Sequence, residues 1–203
     1  MQKSQLLQQW QHAGLMKDAR ILQAFEKVPR EQFIPKEYQQ QAYEDSPLPL
    51  GHGATISQPT TVMLMLQALE VKPGNKILEI GTGSGYNAAL LAELTGRKGK
   101  VITLEFVKEL AESATKKLSH YRNVKVMYAD GKYGYQKEAP YDRIIATAAC
   151  QEIPEALLKQ LRLNGILVIP IGPYHNQEVI KLTKLKNELT RESLGNFVFV
   201  PMR

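Results

Sequence analysis

The sequence predicts an α/β fold, a doubly wound and mainly parallel sheet with helices on both faces. Strand-length apolar runs alternate with helical segments from Lys76 to Ile171, and a glycine-rich loop joins the first of these strands to the helix after it. Two segments of period-two patterning then close the chain. Buried parallel strands need helical crossovers, and right-handed crossovers place those helices on both faces.

The first fifty residues are Gln-rich and helical in pattern, with breaks at Pro29, Pro35, Pro47 and Pro49. Leu15, Ile21, Leu22, Phe25 and Val28 share one helical face, which predicts a helix over Lys17 to Lys27 lying as a cap on a larger body. A further apolar helix runs through Val62-Met-Leu-Met-Leu66, its methionines read as core. Lys76 to Ile80 is the first strand of the alternating region, followed by a helix from Asn87 to Leu94, a strand from Lys100 to Glu105 and a helix over 107–118. Strands are expected at Val124 to Tyr128, Tyr141 to Ala148 and Ile166 to Ile171, with a helix over 154–162 between the last two. Val179 to Lys186 and Phe197 to Val200, joined through polar residues including Asn187, read as an antiparallel hairpin at the sheet edge.

At 203 residues the chain can bury roughly 70% of its unfolded surface, so no disulfide or metal staple is needed. A composition of 43% hydrophobic and 23% charged residues excludes a largely disordered chain. Residues 1–203 read as one domain, with 1–57 as helical cap and loop and 58–203 as the α/β core. Cys150 is the only cysteine and is expected to be small and buried; no intrachain disulfide is possible, which suits the cytoplasm. Neither a signal-peptide core nor a spanning apolar run is evident. The four histidines have no metal-ligand spacing, and no metal is predicted. A net charge of +6 invites a nucleic-acid partner without establishing one.

Glu79-Ile-Gly-Thr-Gly-Ser-Gly85 sits between a strand and a helix, where glycines let a ligand approach the backbone. Tyr86 stands where a dinucleotide fingerprint places its third glycine, and no phosphate-loop lysine follows. The loop instead resembles motif I of the S-adenosylmethionine-dependent methyltransferases, with Glu79, Gly81, Gly83 and Gly85 as its cofactor-binding positions. Glu105, at the end of the next strand, can accept hydrogen bonds from ribose hydroxyls. Asp130 and Gly131 end the third strand, where members of that class bind the adenine amino group. Each feature also has a plain alternative: a glycine turn, an exposed Glu, an Asp-Gly turn.

The fourth strand ends Arg143-Ile-Ile-Ala-Thr-Ala-Ala149, without the Asn/Asp-Pro-Pro-aromatic signature of base amino methyltransferases and without a metal-binding carboxylate. A carboxylate nucleophile, ionised at neutral pH, needs neither a base nor a metal. Tyr43-Glu-Asp-Ser-Pro-Leu-Pro-Leu-Gly-His-Gly-Ala-Thr-Ile-Ser-Gln-Pro59 closely resembles the signature segment of the protein-L-isoaspartate O-methyltransferases. The resemblance extends through Pro29-Arg-Glu-Gln-Phe-Ile-Pro35, the glycine loop, Ala139-Pro-Tyr-Asp142 and Val198-Phe-Val-Pro201.

The resemblance implies transfer of methyl from S-adenosyl-L-methionine, leaving S-adenosyl-L-homocysteine, to the free α-carboxylate of L-isoaspartyl residues and more weakly of D-aspartyl residues. The ester then collapses to a succinimide that partly returns aspartate. It implies that Ser57 is the active-site residue, that Ala54, Thr55, Ile56 and Ser57 contact the isoaspartyl group, and that the backbone of Val200 pairs with the bound peptide. The partners implied are damaged proteins and peptides, with no nucleic acid or membrane, for a monomer in the cytoplasm. From spacing alone, Ser57 could instead cap the helix that follows. Ala129 replaces the family's usual glycine before Asp130. A nucleic-acid methyltransferase and a noncatalytic cofactor sensor are the alternatives.

Overall fold

The computed structural model describes residues 2–202. Its helices are α1 (Lys3–His12), α2 (Ala19–Lys27), α3 (Pro59–Leu69), α4 (Tyr86–Thr95), α5 (Lys108–Lys117) and α6 (Glu155–Gln160). Its strands are β1 (Leu48–Gly51), β2 (Ala54–Ile56), β3 (Lys76–Ile80), β4 (Lys100–Glu105), β5 (Val124–Tyr128), β6 (Tyr141–Ala146), β7 (Leu161–Ile171), β8 (Gln177–Lys184) and β9 (Leu189–Phe197). β1 and β2 form a separate antiparallel ribbon, and the remaining strands form one sheet in the order β5-β4-β3-β6-β7-β8-β9.

β3, β4, β5, β6 and β7 pair in parallel, as their apolar runs predict, while β8 and β9 add an antiparallel hairpin at one edge. The chain moves outward from β3 to β4 and β5, then returns to place β6 on the other side of β3. That reversal opens a crevice at the carboxyl ends of β3 and β6, the position at which open α/β sheets bind ligands.

Two buried clusters cover the faces of the sheet. On one face α4 is apolar nearly all round, with Ala88, Ala89, Leu90, Leu91 and Leu94 all buried. It lies between the sheet and α2, which docks on it through an amphipathic face of Ile21, Ala24 and Phe25. Phe25 meets Trp10 and Tyr43 edge to face at centroid distances of 4.7 and 5.9 Å, and the Trp10 indole donates to Thr60 Oγ1 at 2.7 Å. The amino-terminal helices thus form a third layer tied to the start of α3, and Met63 and Met65 are core as expected.

Several boundaries differ from expectation. α2 begins at Ala19 because Asp18 caps it, accepting the Arg20 N–H, and this leaves Leu15 outside the helix and exposed. α6 stops at Gln160, where the chain passes directly into a longer β7. β6 stops at Ala146, before Thr147 turns toward the glycine loop. The last strand is Leu189–Phe197 rather than Phe197 to Val200. Beyond Phe197 the chain leaves the sheet: Phe199 N–H donates to the Gln177 side chain and the Val200 carbonyl accepts from Ala149 N–H. These bonds bring Val200 to the crevice and leave Val198 and Phe199 along the groove beside it. Lys181 and Lys184 on β8, which alternation alone would leave in solvent, bind Glu70 and Glu192, and the carbonyls of Leu158 and Leu161.

Candidate active site

β3 ends at Ile80 and the chain turns through the glycine loop. Gly81 has φ +92°, and a Cβ there would lie 2.6 Å from Thr147 Oγ1, so both backbone conformation and space demand glycine. The Thr147 hydroxyl donates to the Gly81 carbonyl at 2.6 Å, clamping the tip of β6 to the loop. Gly83 N–H donates to Glu105 Oε2 at 2.7 Å, and Glu105 Oε1 accepts Val107 N–H at 2.9 Å. Glu105, only 7% exposed, therefore organises the loop while lining the crevice, and its oxygens keep lone pairs for further donors.

The crevice is lined by Gly81 and Gly83, by Glu105 at the end of β4 with Phe106 and Val107 after it, and by Ala129 and Gly131 after β5. Ile80 and Leu104 form an apolar floor, and Phe106 stands 47% exposed at the wall. A flat apolar base beside a hydroxylated sugar fits this arrangement: an aromatic face is offered, with one carboxylate beside it and glycines that leave backbone room for a tail. Among the described residues no group of three or more His, Cys, Asp or Glu could hold a metal.

Three residues expected at the cofactor do not line the crevice. Glu79 is fully buried behind the loop, accepting from Asn87 Nδ2 at 2.7 Å and from the Thr103 hydroxyl at 2.5 Å. Thr103 in turn meets the Thr82 hydroxyl at 2.6 Å, so Glu79 braces the loop from beneath, and burial pushes its carboxyl up to about 7. Gly85, at φ +89°, starts α4, and a Cβ there would press on Leu118. Asp130 is not part of the crevice wall; its Oδ1 caps the turn after β5 by accepting Lys132 N–H at 2.9 Å. Gly131 does line the crevice.

The opposite wall comes from the β1–β2 ribbon, whose turn passes through Gly51, His52 and Gly53, all at positive φ. It brings His52, Ala54 and Thr55 to the crevice. Ile56 is buried, so its side chain serves packing. Ser57 lies beyond the crevice, on a groove it shares with Thr55, Thr147 and Val200. It is not the helix cap: Gln58 holds that position, and the Ser57 hydroxyl has no partner among the described residues. Val200 borders both crevice and groove, its carbonyl bound to Ala149.

Thr55 and Thr147 line the crevice, the groove and a small inner chamber that Ser57 also borders. Thr147 is a junction residue that sequence reasoning passed over, since the strand tip was read only for the signatures it lacks. Phe106 and His52 were missed as well; an aromatic directly after Glu105 was the available signal for the first. Cys150, expected to be buried, is partly exposed; burial still pushes its thiol up to about 11, leaving it protonated at neutral pH.

A family model described as protein-L-isoaspartate(D-aspartate) O-methyltransferase matches residues 1–203. A Methanopyrus kandleri protein-L-isoaspartate O-methyltransferase is 44% identical over 204 residues, covering 98% of this chain and 90% of its own. An Ignicoccus hospitalis relative of the same name is 46% identical over 203 residues, covering 98% and 96%. Among solved structures, a Plasmodium falciparum protein assigned as a protein-L-isoaspartate O-methyltransferase, in complex with S-adenosyl-L-homocysteine, superposes with a TM-score of 0.87. It is 28% identical and covers 99% of this chain and 97% of that one.

Proposed function

The chain belongs to the protein-L-isoaspartate(D-aspartate) O-methyltransferase family and uses S-adenosylmethionine to methylate isoaspartyl residues, and on that premise we propose how its own residues perform the transfer. S-adenosylmethionine, when bound, supplies an electrophilic methyl group on a sulfonium. Glu105 would accept hydrogen bonds from its ribose hydroxyls, Phe106 and the apolar floor would hold its adenine, and Gly81 and Gly83 would leave room for its methionine tail. Gly131, on the crevice wall, would border the adenine edge, and Asp130, beside it in the chain, would reach the adenine amino group only with its second carboxylate oxygen, which has no partner among the described residues.

The peptide lies along the groove between the ribbon and residues 196–200, where the exposed Val198 and the backbone of Val200 meet it as an added strand. Its isoaspartyl carboxylate reaches the residues common to groove and crevice. The Ser57 hydroxyl donates to one carboxylate oxygen and so orients the other toward the methyl group. No base is required, because the attacking carboxylate is ionised at neutral pH. Ala54, Thr55 and the backbone of Ile56 shape the wall that excludes competing water. The observation that carries this reading is the unpartnered Ser57 hydroxyl on a groove that shares Thr55 and Thr147 with the glycine-loop crevice.

The reading includes weaker action on D-aspartyl residues and uncatalysed collapse of the ester to a succinimide that returns aspartate. It takes residues 1–203 as one methyltransferase domain, with 1–57 as cap and substrate loop, supported by the packing of α2 on α4. A cytoplasmic monomer that does not engage nucleic acid completes it, supported by the single cysteine and by basic side chains tied up along β8. No described helix is long and apolar enough to cross a membrane. Paired peptides differing only in an isoaspartyl or aspartyl linkage test the reading: label from the cofactor enters the isoaspartyl peptide alone as a base-labile ester. Equal labelling of both, or of neither, overturns it.

A further inference from the structure

Arg30 is completely buried, the only charged side chain besides Glu79 among the described residues with zero exposure. It opens the short helical turn Arg30–Phe33 behind the ribbon. Its Nε donates to the Ala42 carbonyl at 2.8 Å and its Nη2 to the Ser57 carbonyl at 2.9 Å. The guanidinium carbon lies 5.2 Å from the ring centroid of Tyr86, the first residue of α4 after the glycine loop. Nη1 has no partner among the described residues.

This arrangement is costly for stability alone. A buried cation without a carboxylate partner, and with one donor unpaired, is less favourable than an apolar side chain of the same volume. What the guanidinium supplies instead is a rigid fork whose two donors have fixed spacing. One prong holds the residue before Tyr43 and the other holds Ser57, while the guanidinium carbon stands over the Tyr86 ring at the start of the helix that follows the glycine loop. Three segments that build the substrate groove and the crevice are thereby referenced to one planar group.

We propose that Arg30 is a positioning residue for methyl transfer: by holding the Ser57 carbonyl against the start of α4, it aims the Ser57 hydroxyl at the place where groove and crevice meet. The inference rests on the assignment of Ser57 made above. Burial lowers the Arg30 pKa only to about 10, so the fork stays charged at neutral pH.

The test is a double-mutant cycle of Arg30→Met and Ser57→Ala, with Arg30→Lys as a conservative variant. Turnover and KM are measured with an isoaspartyl peptide, S-adenosylhomocysteine affinity by calorimetry, and folding by the unfolding midpoint. A misplacement of about 1 Å in a reacting group can cost on the order of a hundredfold, so Arg30→Met should lower kcat about tenfold or more. Cofactor affinity should stay within about threefold, and Arg30→Lys, which can hold one carbonyl, should fall between Met and the parent. In the Ser57→Ala background the same Arg30→Met change should alter kcat by no more than about twofold, since there is no hydroxyl left to aim.

An equal fold-loss in both backgrounds, an unchanged kcat, or a loss explained by weaker cofactor binding would overturn the inference. The Arg30→Lys arm carries the same cycle if Arg30→Met does not fold. Full turnover in Ser57→Ala alone would instead refute the serine assignment, so the two failures are read from different variants.

Discussion

Replacing Glu105 by Gln leaves the shape of the side chain intact and exchanges one acceptor oxygen for an NH2 donor. In the parent the two oxygens accept the backbone N–H groups of Gly83 at 2.7 Å and Val107 at 2.9 Å. The carboxamide can satisfy only one of them, so the other N–H faces a donor. A hydrogen bond to a charged group contributes roughly 1.5–3 kcal/mol, and at 7% exposure solvent recovers little of it. The same exchange removes a charged acceptor from the proposed ribose contact. With at least one such bond lost on the cofactor side, affinity should fall about 10- to 100-fold, at 1.4 kcal/mol per factor of ten. Titration calorimetry with S-adenosylhomocysteine measures this without turnover, and an unfolding curve measures the accompanying loss of stability. Turnover at saturating cofactor should change far less than affinity. An affinity within twofold of the parent would refute the reasoning, because Glu105 would then be a loop brace with no part in binding.

Ser57→Ala should lower kcat for an isoaspartyl peptide by about 10- to 100-fold, the equivalent of one hydrogen bond to a carboxylate, and leave cofactor affinity unchanged; steady-state kinetics decide it. Gly81→Ala should weaken cofactor binding and cost about 1–3 kcal/mol of stability, since φ is +92° and the new methyl meets Thr147 Oγ1 at 2.6 Å. Adding Thr147→Ala should restore part of that loss, and no restoration would show that backbone strain alone is responsible. Glu79 has its carboxyl raised to about 7 from 4.5, which means the native state prefers the neutral acid. Its penalty is absent below pH 4.5, grows as pH rises to about 7, and is constant above that. Glu79→Gln should therefore gain on the parent between those limits, by up to about 3 kcal/mol at 1.36 kcal/mol per unit, in urea unfolding at pH 4.5 and pH 8. A difference that does not change with pH would sink this account.

Much of the architecture was legible because it depends on local periodicity. β3 and β4 were read with their observed ends, since an apolar run bounded by a glycine loop or an acidic residue has few other conformations available. The crevice was legible for the same reason: a glycine loop after one parallel strand and Glu105 after the next must meet at the carboxyl ends. The β1–β2 ribbon was not visible as strands, because Pro49, Gly51 and Gly53 interrupt the period that would announce it. The final strand was misplaced because Phe197 to Val200 alternates like a strand, while its hydrogen bonds go to Gln177 and Ala149.

What the sequence determined by itself was the fold, the family resemblance and the chemical class of the site, all carried by residue types at short spacings. Only the tertiary structure decided which glycines face the crevice, that Glu79 braces the loop from behind, and that Thr147 joins three cavities. It alone brought Arg30 to the Ser57 carbonyl, 27 residues away in the chain. The physical reason is that spacing records how a side chain repeats along its own element, whereas burial and partnership depend on the element packed against it.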